Sequence, residues 1–419
     1  MEPGKILKSY REENQMSQEE TAKSIVSSSY LSRIENGQTK ADDTTLALLF
    51  ERVGVDYYDI RSRDEELENL LTEWETPLLH NDFENSQVIH EKINELVFPF
   101  SDTKLQVEYH IKKIRFSIIC NELNSTEPSF RFINKFDDTL SQKNRFYYYK
   151  YKGNYCWAVS DVENAKIYFE NAYQVFSPAI LGELEKADLY FLYALALYAN
   201  QQETVSFKLA QEALNIFQDN YRVKECLKLH IHLGICYSKL GDMDSSLSQF
   251  KKAEYLSKEI DENSFNGIVQ HNIGYAFFCK KQRSTAIYHL QEALAFKKQE
   301  SYSYLHTLNF LIYTNLIEGY IDKCMVTIND YLEIVSNSSE KQIQVKEFWF
   351  LVYFIKEPQY TWEKQFNEVL LPTLKEEGKY QELIKYSKLL AAYYENQGSY
   401  KKSSCFYKIA LDNSSGHIY

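Results

Sequence analysis

Glycine and proline are scarce, 13 and 7 of 419 residues, too few for the turns of an all-β protein and without the period of a collagen-like chain. No stretch reaches 18 consecutive apolar residues, and the opening MEPGKILKSYREENQ lacks the apolar core of a signal peptide. A cytoplasmic chain that does not engage a membrane is therefore expected. Cysteine is odd in number, seven at positions 120, 156, 226, 236, 279, 324 and 405 without a CxxC pair, which suits a reducing compartment and offers no disulfide framework or metal cluster. Positive charge is in deficit, 47 Lys plus Arg against 59 Asp plus Glu for a net −12. Any contact with nucleic acid must then be local. GxGxxG, GxxxxGKS/T, HExxH and GxSxG are all missing, so no enzymatic constellation and no cofactor is expected. What is present is a 44% hydrophobic, 15% aromatic chain whose apolar residues recur at helical spacing, the composition of an all-α protein with a packed core.

Short helices with polar breaks occupy roughly the first 60 residues, and long amphipathic helices follow. The link RSRDEELE has no Pro or Gly, so residues 63–75 read as a helical connector between a domain at 1–62 and a second at 76–419. Ser17 followed by Glu20 is the capping-box pattern, placing a helix from Gln18 to Ser24. A second short helix runs through Tyr30–Glu35 and closes at Asn36-Gly37, where glycine suits a left-handed end. Leu31 and Ile34 then face inward with Ala22 and Ile25, leaving Ser28, Ser29, Ser32 and Arg33 outward. This is helix-turn-helix geometry, in which the second helix enters a DNA groove.

Along SQEETAKSIVSSSYLSRIENG the chain resembles the Xre/Cro/phage-repressor superfamily, and the similarity continues through Thr45-Leu46 and Phe50 to Val53-Gly54-Val55. The superfamily usually has a glycine in the turn, where this sequence runs Ser24-Ile25-Val26-Ser27. The resemblance implies that Ser28, Ser29, Ser32 and Arg33 read the major groove of a double-stranded operator, Arg33 pairing with guanine, with Ser17, Gln18, Ser27 and Lys40 near phosphates. Residues 1–60 carry 7 Lys plus Arg against 11 Asp plus Glu, a poor balance for phosphate binding. The competing reading is a helix-turn-helix used for protein contacts only.

From Tyr147 onward a small residue is followed by a second after twelve positions and a third after seven more: Gly153, Ala165, Ala172; Ala194, Ser206, Ala213; Gly234, Ser246, Ala253; Gly274, Ala286, Ala293; and Ala391, Ser403, Ala410. The first four starts are 41, 40 and 40 residues apart. Small residues let paired helices approach, and Phe169, Phe250, Leu290 and Tyr407 are placed to fill the next hole. The spacing resembles tetratricopeptide repeats with lengthened helices, about eight pairs in a right-handed solenoid. Cys324 and Ile328 stand in weakly for the small residues of the unit near 312.

A helix-turn-helix joined to such an array resembles the RRNPP family of bacterial peptide quorum-sensing receptors, over essentially the whole chain. The resemblance implies a short signalling peptide bound in the concave groove, a self-assembly (dimer or tetramer) that the peptide alters, and DNA binding that follows. In some members a sporulation response regulator is the partner. The alternative is a repeat-based adaptor that sequesters such a signalling protein. First helices of the pairs wall the groove, which places Tyr151, Asn154, Asp188, Lys228, His232, His271, Asn272, Tyr275, Asn309 and Tyr313 toward a ligand. Asparagine is a poor helix-interior residue; a ligand bridging Asn154, Asn272 and Asn309 by backbone hydrogen bonds is one reason for it, and bonds between adjacent repeats are the other. His230 and His232, two apart on a helix, point in different directions and cannot share a metal with His271 without distortion.

Overall fold

A computed structural model describes residues 3–96, 102–260, 263–339 and 342–414, and among them there is helix and turn but no strand. The chain forms two compact units, Met1–Leu209 and Ala210–Tyr419. It opens with α1 (Pro3–Glu13), α2 (Gln18–Ala22), α3 (Ser28–Glu35), α4 (Asp43–Arg52) and α5 (Tyr57–His80). Side chains fix the helix starts. Ser17 and Glu20 make the reciprocal capping box, Ser27 accepts from the Tyr30 amide, and Asp42 accepts from the Thr45 amide, each cap worth about 1 kcal/mol. Leu7, Leu31, Leu49 and Phe50 fill the core with Ala22, Ile34, Leu46 and Val53. A Cβ on Gly4 would stand 2.0 Å from the Ile34 carbonyl oxygen, so α1 passes the end of α3 at a distance that only glycine allows.

The turn keeps its geometry without the usual glycine. α2 ends at Ala22, two residues short of the expected Ser24, and Ser24 itself takes the left-handed φ of 63°. The amides of Ile25 and Val26 both reach back 3.0 Å to the Ala22 carbonyl. Serine there is strained, so Ser24→Gly is expected to stabilise the N-terminal bundle by about 0.5–1 kcal/mol, the strain relieved less the entropy glycine adds to the unfolded chain. A rise in the bundle's urea midpoint would show it.

α5 runs unbroken for 24 residues. Tyr57 and Ile60 belong to the bundle core, while Leu67, Leu71 and Trp74 belong to the next core, with Ile89 and Ile93 of α6 (Phe83–Leu96) and Tyr109 and Phe116 of α7 (Thr103–Ile119). The segment 63–75 is thus helical, and from Leu67 it is already part of the first repeat packing. Between the two cores lies Asp64, 6% exposed with Oδ2 lacking a hydrogen-bond partner. Burial, helped by Asp102, pushes its carboxyl up to about 6. The folded pKa lies above the ordinary value, so the native state holds this proton more tightly and stability should rise as pH falls from 7 through 6. Asp64→Asn should remove that dependence and stabilise the chain at pH 7 by up to about 3 kcal/mol, measured by melting at both pH values.

The remaining helices are α8 (Glu127–Ile133), α9 (Gln142–Ala158), α10 (Val162–Val175), α11 (Glu183–Ala199), α12 (Glu203–Asp219), α13 (Val223–Lys239), α14 (Met243–Glu259), α15 (Asn266–Cys279) and α16 (Arg283–Ala295). Then come α17 (Tyr302–Ile317), α18 (Ile321–Asn337), α19 (Ile343–Lys356), α20 (Gln359–Gln365), a π turn at Phe366–Leu370, α21 (Leu371–Glu376), α22 (Tyr380–Asn396) and α23 (Tyr400–Ser414). Among the described residues α5 to α23 make nine consecutive pairs rather than eight, α20, the π turn and α21 sharing one place.

The small-residue spacing has a double physical basis. A Cβ on Gly153 would meet the Phe169 ring at 2.7 Å, and one on Gly234 the Phe250 ring at 2.4 Å, so the first small residue vacates the space that the large one fills. Twelve positions on, Ser206 Oγ donates to the Ala194 carbonyl at 2.7 Å and Ser246 Oγ to that of Gly234 at 2.8 Å. Cys324 Sγ does the same to Ile312 at 3.6 Å; what looked like a weak stand-in keeps the function of the position. Tyr407 departs from expectation. It is 38% exposed and its hydroxyl donates to Glu395, while Phe406 stacks on Tyr394 at 5.6 Å instead.

His230 lies 2.7 Å from Gln249 Oε1, and one repeat later His289 lies 2.7 Å from Gln270 Oε1. Both positions recur forty residues on with the two residue types exchanged, so the pair is a clip between the two helices of a unit. Among the described residues no three His, Cys, Asp or Glu side chains could hold a metal, and no helix is long and apolar enough to cross a membrane.

Candidate functional site

On α3, Ser28, Ser29 and Arg33 are exposed and Ser32 is half-buried. The Arg33 guanidinium lies over the Tyr30 ring, 5.6 Å from its centroid, which orients the one long polar side chain of that face. Behind it Arg11 holds Glu35 through two bonds, Nε to Oε1 at 2.7 Å and Nη2 to Oε2 at 3.0 Å, and donates to the Met16 carbonyl at 2.8 Å. Gln18 Nε2 joins them at 2.6 Å from Glu35 Oε2, so this amide, expected near a phosphate, is engaged in the frame. Ser17 and Ser27 are exposed but their hydroxyls cap α2 and α3. Lys40 lines a cavity of about 1220 Å³ that also carries Asp64, Glu68, Asp102 and Glu108 as well as Arg61, Lys104 and Lys143. The exposed part of this α3 face is made of short hydroxyls and one arginine, side-chain types that suit base edges more than the backbone.

In the first unit, Lys150 of α9 is 1% exposed and lies 2.5 Å from Glu185 and 2.7 Å from Asp188 of α11, with Tyr147 donating to Glu185 at 3.1 Å. Burial alone would lower the Lys150 pKa; Asp188 and Glu185 outweigh it and hold it above the ordinary value. Asp188 is thus paired within the protein. Tyr151 and Asn154 are buried beside this cluster, and Asn154 Nδ2 has no acceptor.

In the second unit, Lys228 is half-buried, and burial of His232, 3.7 Å from Cys236 Sγ, lowers its pKa to about 4. His271, Tyr275 and Tyr313 gather around Phe310, with ring centroids 5.9, 5.8 and 6.3 Å away. The asparagines divide. Asn272 Nδ2 donates to its own helix at Ile268, 2.8 Å, and Asn309, 1% exposed, donates to the Gln344 carbonyl at 2.8 Å. For Asn309 the bond between repeats is the one observed, and two of the three amide donors expected to bridge a ligand are engaged. Left over are acceptors: Asn309 Oδ1 and Gln344 Oε1 lack a donor.

The same faces hold groups that repeat spacing did not single out. Lys297 donates to Thr307 Oγ1 at 2.5 Å, and Thr307 lies 2.9 Å from His271 Nδ1. Burial lowers Lys297 to about 8, lowers His306 to about 4, and takes His271 well below the usual range. At pH 7 the histidines are neutral and the lysine carries the charge. Glu347, 1% exposed, has Lys385 Nζ at 3.5 Å, and burial raises its carboxyl pKa. A glutamate ahead of FWFLVYFI was a visible signal, since charge in an apolar run needs a partner. Aromatic walls, unpaired acceptors and half-buried lysines can together receive an extended chain with amide donors and a carboxylate.

Residues 7–60 match the helix-turn-helix family. Over 396 residues the chain is 26% identical to the transcriptional activator NprA of Geobacillus stearothermophilus, covering 93% of this chain and 97% of that protein. Response regulator aspartate phosphatase I of Bacillus subtilis (strain 168) is 22% identical over 354 residues, 82% of this chain and 89% of that one. The apo form of the quorum sensor NprR from B. thuringiensis superposes with a TM-score of 0.73 at 17% identity, over 84% of this chain and 99% of that one. Its complex with the cognate peptide NprX gives 0.62 at 16% identity, over 83% and 99%. The capped bundle, the repeats behind it and a similarity that runs almost end to end make this chain similar to these helix-turn-helix and repeat regulators, the resemblance to the RRNPP family extending over nearly its whole length.

Proposed function

We propose that this protein is a transcription regulator that reads double-stranded DNA through α3 and takes a short signalling peptide on its repeats, which changes its self-assembly and thereby its DNA binding. The observation that carries the reading is the alignment with a transcriptional activator along 93% of the chain, combined with an α3 face held outward by the Arg11–Glu35 frame. For the peptide, support comes from the aromatic and acceptor-rich face of α15, α17 and α19, and from NprR having been solved with NprX. The protein acts without catalysis, in the cytoplasm. Because one acidic bundle makes few phosphate contacts, useful affinity requires two bundles presented to half-sites about 34 Å apart or a multiple of it.

Arg33→Ala is expected to cost about 1–3 kcal/mol at one base position and relax specificity there, read by anisotropy across operator variants. Uniform weakening over all variants would make Arg33 a phosphate contact. A second reading, an adaptor that sequesters a response regulator, is favoured by the 82% of the chain that aligns with phosphatase I and by the acidic balance of the first 60 residues. Salt-dependent, sequence-selective retention of DNA separates the two.

A further inference from the structure

A cavity of about 560 Å³ opens between the end of α12, α13 and α14, away from the residues assigned above to a peptide. On α13 its lining residues Cys226 and His230 stand two positions from Lys228 and His232, which turns them about 200° round the helix. The floor is apolar: Val223, the buried Cys226, and Leu256. At the rim Tyr221 and Tyr255 are 90% and 61% exposed. Tyr221 also holds a left-handed φ of 55°, a conformation given elsewhere in the array to Ser160, Gln201, Gly241 and Lys281. A large aromatic is kept there at a cost in both strain and exposure.

The charge at the mouth runs against that of the chain. With a net −12 overall, this opening collects Arg222, Lys251 and Lys252. Arg222 is held by Glu225 at 3.4 Å, whereas Lys251 and Lys252 are exposed on α14. His230 adds no charge at pH 7, since burial lowers its pKa and outweighs the opposing effect of its bond to Gln249.

We propose that this cavity binds an amphiphilic carboxylate, a small molecule with an apolar or aromatic body and one carboxylate group. The body rests on Val223, Cys226 and Leu256 between the two tyrosines, and the carboxylate meets Lys251 and Lys252 through charge-assisted hydrogen bonds. The volume lies within the range of small-ligand pockets, roughly 300–1,000 Å³.

Calorimetry on the full chain with naphthaleneacetate and its neutral amide tests this. The acetate should bind at one site and the amide about tenfold more weakly, a difference of roughly 1.4 kcal/mol. Lys251→Glu with Lys252→Glu should weaken the acetate by about the same factor and leave the amide unchanged, at unaltered helix content. Ser248→Trp, an exposed lining residue, should block both ligands. Equal binding of acetate and amide, an acetate affinity indifferent to the charge reversal, binding that survives Ser248→Trp, or no binding of either ligand would each overturn the proposal.

Discussion

Arg11→Ala is expected to unfold the N-terminal bundle and abolish DNA binding while the repeats stay folded. Glu35 is 2% exposed and both its oxygens are held by Arg11, at 2.7 and 3.0 Å. Without the guanidinium that carboxylate keeps only Gln18, and breaking a buried pair on one side costs about 3–5 kcal/mol. A bundle of this size has a total stability of about 3–9 kcal/mol, so the loss removes most of it. Hydrogen exchange should show rapid exchange confined to α1–α4. Removing both partners, Arg11→Met with Glu35→Leu, should restore protection, because no charge is then left buried. Native-like exchange in the single variant would mean that the frame does not hold α3.

Lys150→Met should cost the first repeats a similar amount. The lysine is 1% exposed between Glu185 and Asp188, and methionine keeps its stem but strands two carboxylates, for about 3–5 kcal/mol. Adding Glu185→Gln and Asp188→Asn should recover most of the loss, since neutral amides leave no unpaired charge. The urea midpoint of the full chain, followed by a probe in the first unit, is the readout. A single variant as stable as the parent would show that water reaches this cluster.

The parts legible in the sequence are those with local causes. The capping box at Ser17 and Glu20, the left-handed Gly37, and Gly153 and Gly234 opposite Phe169 and Phe250 all follow from spacing within one or two helices. The turn was legible only in part, because Ser24 adopts a conformation that composition assigns to glycine. Side-chain partners were harder to read. Asn309 and Gln18 carry the right chemistry for a ligand, yet their amides are engaged by Gln344 and Glu35, 35 and 17 residues away. Glu347 and Lys385 were missed because their pairing joins α19 to α22, and repeat spacing alone does not say which inward positions are charged.

The most direct test is the affinity of the full chain for operator DNA with and without the low-molecular-weight peptide fraction of medium from the cells that encode it. By fluorescence anisotropy the Kd should change at least about tenfold, equivalent to roughly 1.4 kcal/mol of difference in peptide affinity between the two assemblies. Protease treatment of the fraction should abolish the effect. Sequence-selective DNA binding with the same Kd in the presence and absence of that fraction would contradict the account.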